Sequence, residues 1–323
     1  MPEPLQELIV GLSLGPWADG SLADMRAAAD TCERARLDLL VAGYGAEPGL
    51  SGDPLTLVSA LIGQTRDIGL GAVVPSAGWA PFNVARAFSA LDLLSEGRSA
   101  WMVTPGEAVG DDEGRDRFRE HLDAVFALFD SWEDDALVYD KPASVFVRRE
   151  KVHRIAFTGR WFTVDGPLNS PRPPQGRPVV IQRLASYAEP PIAGTDIAIV
   201  SPSDIEAGAA LRDRLIATGA AKVLVDLEFS LSTAPAQAGL GSLGYVGAPD
   251  GLAALMVRWQ ARGACDGFLL TPAATGDLDI LAGAVIPSLQ RQAVFKRAYG
   301  DGDLRTRLGL PRPANRFAAP AAA

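Results

Sequence analysis

Residues 53–104 read DPLTLVSALIGQTRDIGLGAVVPSAGWAPFNVARAFSALDLLSEGRSAWMVT. Asp53-Pro54 has the form of a helix start, with Asp as the N-cap acceptor and Pro at the first helical position. Leu55, Val58, Leu61 and Ile62 then fall on one helical face. Ile68–Val74 is an apolar run of strand length, Val84–Leu94 is again helical, and Ser99–Val103 is a second strand. Both strands are apolar almost throughout instead of alternating, the pattern of strands covered on both faces. Helix, strand, helix, strand in this form implies a parallel sheet.

The same rhythm runs outward from this stretch. Upstream, Leu8–Leu14 and Leu37–Ala42 read as strands. The helix between them presents Leu22, Met25, Ala29 and Cys32 on one face, and Ser21 with Asp24 forms a capping-box arrangement at its start. Downstream, Phe118, Leu122, Val125, Phe126 and Phe129 mark a longer amphipathic helix. Residues 132–177 then break the pattern: they are polar, charged and Pro-rich, and predict an excursion containing a hairpin. Strands resume at Pro178–Gln182 and Ile197–Val200. Only Arg183–Asp196 lies between them, interrupted by Pro190-Pro191, where a crossover needs roughly a dozen residues including a helix. The fifth helix is therefore expected to be missing or reduced to a turn. Ser201-Pro202 predicts the cap of a helix through Ile205, Ala209 and Ile216. Lys222–Leu227 and Asp266–Leu270 supply the last strands, with helices at Leu252–Trp259 and Leu281–Leu289. The expected fold class is α/β: a (β/α)8 TIM barrel with an excursion after its fourth helix and a shortened fifth unit. It is read as one domain over residues 1–323, with a polar, Pro-rich tail at 299–323 lying on the outside.

Bulk properties narrow the partners. The 323 residues carry a formal net charge of −9, and 48% of them are hydrophobic. An acidic chain without a basic stripe argues against nucleic acid and anionic membrane as partners. Cys32 and Cys265 each sit inside an apolar periodic segment, so buried free thiols are expected and not a disulfide framework. The first residues, Met1–Gln6, carry Pro and Glu instead of a basic patch and an apolar stretch, and a cytoplasmic chain is expected.

Short motifs weigh less than their patterns suggest. Gly11-Leu12-Ser13-Leu14-Gly15 matches a nucleophile elbow, but Pro16–Gly20 intervenes where a helix should start at once. A core strand carrying a small residue is the better reading. Gly239-Leu240-Gly241-Ser242-Leu243-Gly244 matches the dinucleotide fingerprint yet leads into Tyr245-Val246 instead of a helix, and reads as a flexible loop with a weak claim on an anion. The two histidines, His121 and His153, are far apart, and no ligand spacing for zinc occurs, so no metal is expected. His121 is placed on a polar helical face and His153 in the excursion, both in structural roles. Glu133-Asp134-Asp135 reads as a solvated turn.

In a barrel, chemistry gathers at the C-terminal ends of the strands. Those positions hold Ser13, Gly43, Tyr44, Ser76, Trp79, Thr104, Gln182, Ser186, Ser201, Glu228 and Thr271. Such a mouth has aromatic and neutral polar groups but no paired carboxylates. It suits a protein whose cofactor supplies the reactivity, and equally one that does no chemistry.

Several blocks resemble a known family. They are Asp130-Ser131-Trp132-Glu133-Asp134-Asp135-Ala136-Leu137, Asp140-Lys141, Lys151-Val152-His153, the segment from Phe162 to Asn169, and Pro171-Arg172-Pro173-Pro174-Gln175-Gly176. Asp53–Arg98, Gly263–Leu270 and Leu308–Arg316 carry the same likeness. Together they are similar to the nitrilotriacetate and dibenzothiophene-sulfone monooxygenase branch of the luciferase-like flavin-dependent monooxygenases. The resemblance implies a barrel, usually dimeric, that uses O2 and reduced FMN from a separate reductase to oxygenate a small organic substrate. It also marks departures. Gly43-Tyr44 stands where the family has an acidic residue, and Pro75-Ser76-Ala77-Gly78 replaces a Thr-rich turn. Trp101-Met102 replaces Trp-Asn, Phe118 an aromatic hydroxyl, and Arg183-Leu184-Ala185-Ser186 a phosphate turn of the form Ala-Gly-Ala-Ser.

The expectation is a divergent, shortened FMNH2-dependent monooxygenase. Ser186, Arg183, Ser76, Thr104, Tyr44 and Met102 are its flavin contacts, and Trp79, Ser13, Gln182 and Glu228 line its substrate pocket. No side chain is assigned as general base. The expected partners are a small organic substrate, a flavin reductase, and a second copy or a paralogue. The alternative is a non-catalytic barrel that has lost flavin binding and serves as a binding or partner subunit.

Overall fold

Continuous apolar runs become fully buried strands. In the computed structural model, which describes residues 7–14, 21–43, 53–105, 112–184, 190–231 and 243–318, every residue of β1 (Ile9–Leu14) and β2 (Leu39–Ala42) is buried. β3 (Gly69–Pro75), β4 (Ser99–Thr104), β9 (Val179–Arg183), β10 (Ile197–Val200), β11 (Lys222–Ser230) and β13 (Gly267–Pro272) are buried over most of their length. One sheet takes these strands and β12 (Leu243–Val246) in the order β10-β9-β4-β3-β2-β1-β13-β11-β12, and β10 also pairs with β11. The strand order returns on itself, the topology of a (β/α)8 barrel.

The chain divides into two compact units, Met1–Val73 with Val180–Asp301 and Val74–Val179 with Gly302–Ala323. In the first, β1 pairs in parallel with β2 and with β13, Ile9 opposite Gly267. α1 (Leu22–Arg34) begins where expected, the Asp24 amide donating to Ser21 Oγ at 3.1 Å. α2 (Pro54–Ile62) begins at Asp53, whose carboxylate accepts from the Thr56 amide at 2.9 Å. Cys32 and Cys265 are free and buried. Burial pushes both thiols up, Cys265 to about 12, and neither is poised to react at neutral pH.

Two expectations for this unit are corrected. The cap of α5 (Ile205–Ala217) is Asp204, which accepts from the Ala207 amide at 2.8 Å, and not Ser201-Pro202. Ser201-Pro202 precedes the capped turn, and a carboxylate placed three residues before a free amide satisfies it directly. The supposed loop at 239–244 ends in a strand, β12 (Leu243–Val246), paired in parallel with Leu227–Ser230 of β11. β11 runs three residues past its predicted end at Leu227, and that extension provides the edge on which β12 forms. Residues 239–242 lie outside the described residues. Between β9 and β10 no helix occurs among the described residues, as the short spacing predicts. α6 (Pro249–Ala261) precedes β13. After it, α7 (Thr275–Ile280), a π-helical turn (Leu281–Val285) and α8 (Ile286–Arg291) form the last helical stretch of this unit.

The second unit holds α3 (Pro81–Leu94), β4, α4 (Asp112–Phe129) and the excursion. The excursion contains two antiparallel hairpins where one was expected: β5 (Leu137–Asp140) with β6 (Val145–Val147), and β7 (Phe157–Thr158) with β8 (Thr163–Val164). The tail is anchored to it. α9 (Leu304–Arg307) follows Asp303, the Arg305 amide donates to Gln175 Oε1 at 3.0 Å, and Asn315 Nδ2 donates to the Asp130 and Trp132 carbonyls at 2.9 and 2.8 Å. Among the described residues no helix is long and apolar enough to cross a membrane.

Candidate functional site

α4 supplies the floor of a pocket in the second unit. Phe118, Leu122, Val125 and Phe129 recur at helical spacing and are buried, with His121 in the same stripe. This corrects the placement of His121 on a polar face. Three residues after Phe118 and four before Val125, it belongs to the apolar stripe, and none of its surface is exposed. The imidazole meets Trp101 edge-on at 6.4 Å and Phe162 edge-on at 5.4 Å. Trp101 is itself fixed by its indole N–H donating to the Val74 carbonyl at 3.1 Å.

The His121 tautomer follows from its partner. Nε2 lies 3.0 Å from the Trp79 carbonyl, which can only accept, so Nε2 carries the proton and donates. Nδ1 is left as an acceptor, buried and without a hydrogen-bond partner among the described residues. Burial, reinforced by the Arg117 charge and opposed by the Trp79 carbonyl, pushes the imidazole down to about 4. His121 is therefore neutral at physiological pH.

The wall opposite comes from the turn between β7 and β8. Glu120, next to His121 on α4, accepts from three successive amides: Arg160 at 2.9 Å, Trp161 at 2.8 Å and Phe162 at 2.8 Å. Charge-assisted bonds to backbone are among the stronger neutral-pH contacts a surface can make. Gly159 makes the close approach possible, because a Cβ there would lie 2.0 Å from Glu120 Oε1. The turn is thereby latched against the helix. Around the space so enclosed, about 220 Å3, stand Ser76, Pro105, Gly114, Phe118, His121, Trp161 and Phe162, with Glu113 and Arg117 exposed at its edge. Glu113 pairs with Arg160 at 2.8 Å. Arg117 lies over the Phe162 ring at 5.8 Å and makes no ion pair among the described residues.

The residues singled out from sequence distribute unevenly. Ser76 lines the pocket, its hydroxyl making one long bond of 3.4 Å to the Pro105 carbonyl. The Thr104 carbonyl accepts from the Ser76 amide at 2.9 Å, and Trp79 contributes its carbonyl to His121. Met102 is buried within β4. The others fall in the first unit. Ser13 is buried in β1, and Glu228 is half-buried in β11. Gln182 Oε1 accepts from the Ile192 amide at 2.9 Å and the Thr195 hydroxyl at 3.0 Å, bracing the β9–β10 connection. Arg183 pairs with buried Asp226 at 3.1 Å. Tyr44 and Ser186 lie outside the described residues. His153 bonds Glu133 at 2.9 Å and stacks on Phe317 at 4.7 Å, a role within the excursion. A second hollow, about 620 Å3, is lined by Ser201, Pro202, Leu211 and Arg214, with no aromatic side chain among its described lining residues. Among the described residues no cluster of three or more His, Cys, Asp or Glu could hold a metal.

Sequence reasoning missed Arg117, Trp161 and Phe162 as pocket residues. Their signal was weak: Trp161 and Phe162 sit in a polar excursion, and only folding brings them to a helix 41 residues earlier.

Comparison with known proteins agrees with this architecture. The chain is 28% identical to a dibenzothiophene-sulfone monooxygenase of Rhodococcus erythropolis over 373 aligned positions, covering 84% of this chain and 82% of that protein. It is 27% identical to nitrilotriacetate monooxygenase component A of Aminobacter aminovorans, covering 93% and 87%. The crystal structure of a riboflavin lyase with modified FMN and riboflavin superposes with a TM-score of 0.80 at 22% identity, covering 95% of this chain and 97% of that one. Residues 10–222 match the luciferase-like monooxygenase family, and the chain belongs to that family.

Proposed function

We propose that the chain is a flavin-dependent monooxygenase that takes reduced FMN from a separate reductase and oxygenates a small organic substrate. Family membership over residues 10–222 carries this reading, and the naming of one relative as a component A supports a partner reductase. The donors at the pocket fit the cofactor's anionic end. Arg117 is a cation with no ion pair among the described residues, and the Ser76 hydroxyl is held by one long bond, so both can turn to a phosphate at little cost. Thr104 and Met102 on β4, with Tyr44, Ser186 and Arg183, complete the proposed flavin contacts. Trp79, Ser13, Gln182 and Glu228 are proposed to line the substrate pocket, although Arg183 and Gln182 already have internal partners. Reduced FMN supplies the electrons with which O2 is divided between substrate and water. The residues around it position the substrate and keep water out.

Titrating FMN and reduced FMN into the protein, followed by flavin fluorescence and calorimetry, tests the reading. Saturable binding is expected. The absence of heat or quenching at high micromolar flavin would overturn it and leave a non-catalytic barrel.

A further inference from the structure

Trp161 and Phe162, two residues of the pocket wall, stand on a hairpin too short to hold them. β7 and β8 meet in two residue pairs, and a ribbon of that length is marginal at best by itself. α4 supplies what the hairpin lacks. The amides of Arg160, Trp161 and Phe162 converge on the Glu120 carboxylate at 2.8–2.9 Å. Successive amides aimed at one point make a nest that ordinarily takes a bound anion, and here the chain fills it with its own side chain. The rings are fixed too: the Arg160 guanidinium lies over Trp161 at 4.7 Å, and Phe162 meets His121 edge-on at 5.4 Å. Glu120 is not among the described lining residues, so it acts on the pocket through the turn.

We propose that Glu120 is a positioning residue for the cofactor, presetting Trp161 and Phe162 as the wall of the FMN phosphate site. This role rests on the monooxygenase reading, which gives the pocket to the phosphate through Arg117 and Ser76. Without the carboxylate, three amides lose their acceptor and the turn is free to move. An arriving phosphate then has to order the turn as it binds. Fixing one residue's backbone at that moment costs about tenfold in affinity. A space of about 220 Å3 is too small for the whole cofactor, so the wall bears on its phosphate end and not on its ring system.

FMN and riboflavin, alike except for the phosphate, are titrated by flavin fluorescence into the unaltered protein, Glu120→Ala and Glu120→Gln. Glu120→Ala is expected to weaken FMN about tenfold and to leave riboflavin unchanged. Acetate should refill the nest and restore FMN affinity, while uncharged acetamide should not. Glu120→Gln keeps an acceptor oxygen without the charge and should lose less. An equal loss for FMN and riboflavin, the mark of a merely structural role, would overturn the proposal. A loss that acetate does not repair would do the same. If Glu120→Ala does not fold, Glu120→Gln decides by the same comparison of the two flavins. FMN binding that is indifferent to Glu120 would sink this role alone, whereas failure of the unaltered protein to bind FMN would sink the monooxygenase reading and the role with it.

Discussion

His121 is neutral because the fold withdraws it from water, and that has a consequence for stability. Its folded value of about 4 lies below the ordinary 6.5, so between those values the unfolded chain binds the proton that the folded chain refuses. Above pH 6.5 both states are neutral and the group contributes no pH dependence. Stability then falls as pH drops from 6.5 to 4, by about 3 kcal/mol at most for such a shift. Urea unfolding at pH 7 and pH 4.5 should show a smaller acid loss in His121→Phe than in the unaltered protein. Equal losses would mean that the imidazole is reached by solvent. Glu120 invites a second test at this scale. Glu120→Ala frees the amides of Arg160, Trp161 and Phe162, and Gly159→Ala pushes the carboxylate off them. Either change should cost about 1–3 kcal/mol. Hydrogen exchange at the Trp161 and Phe162 amides should quicken, and the Trp161 emission should move to the red. Unchanged exchange in both variants would show that the hairpin holds itself.

At the scale of elements, the excursion and the tail are joined by an ion network in which burial decides what matters. Arg172 is buried and reaches Asp130 at 3.1 Å, Asp134 at 3.0 Å and the Pro313 carbonyl at 2.8 Å. Arg312 adds a two-toothed contact to Asp134, 2.7 Å to each oxygen, and Arg316 reaches Asp130 at 3.3 Å. The Arg312 hydrogen bonds, ahead of those of Arg172, hold the Asp134 carboxyl down to about 2. Arg172→Ala removes a buried cation from between two carboxylates and should cost about 3 kcal/mol, at the low end for a broken buried pair because Asp134 is half-exposed. Arg154→Ala, which loses only the exposed bond to Asp165, should leave the unfolding midpoint unchanged. Proteolysis of the tail after residue 301 should quicken in the first variant only. If both variants behave alike, the network is surface decoration. The blocks around Asp130–Leu137, Pro171–Gly176 and Leu308–Arg316 stood out in the sequence, and the structure ties them to one another by these bonds. Their motif was legible, but their pairing was not, since like charges and arginines in three segments admit many matches.

At the scale of the whole molecule, the strands were legible because burial on both faces forces uninterrupted apolar runs, and Val10, Leu40, Leu70, Val103, Ile181, Val225 and Leu269 all emerge buried where such runs occur. β12 escaped because its two half-buried residues, Leu243 and Tyr245, alternate with exposed ones next to a Gly-rich stretch. The site was harder to read. Position at a strand end located Ser76, but the latch of Glu120 on the Trp161 and Phe162 amides depends on a turn with no helical or strand periodicity to betray it. The seam between β1 and β13 shows how far sequence reading can reach once a partner is known. Both strands read as apolar runs, yet Gly267 looks dispensable until it is set opposite Ile9. A Cβ at Gly267 would lie 1.9 Å from the Ile9 carbonyl oxygen and 2.7 Å from its carbonyl carbon, both backbone atoms that cannot turn aside. Gly267→Ala must therefore part β1 from β13, which join the first and last strands of the chain's barrel order. Gly276, by contrast, has no atom of the described residues within 4 Å of its missing Cβ and sits in α7, where alanine is the better helix former by roughly 0.5–1 kcal/mol. Thermal unfolding of the two variants separates the cases: Gly276→Ala should melt at or above the unaltered protein, while Gly267→Ala should lose its cooperative transition and bind a hydrophobic dye at room temperature. A cooperative, undisplaced melt for Gly267→Ala would mean that the two strands do not approach as closely as their register requires.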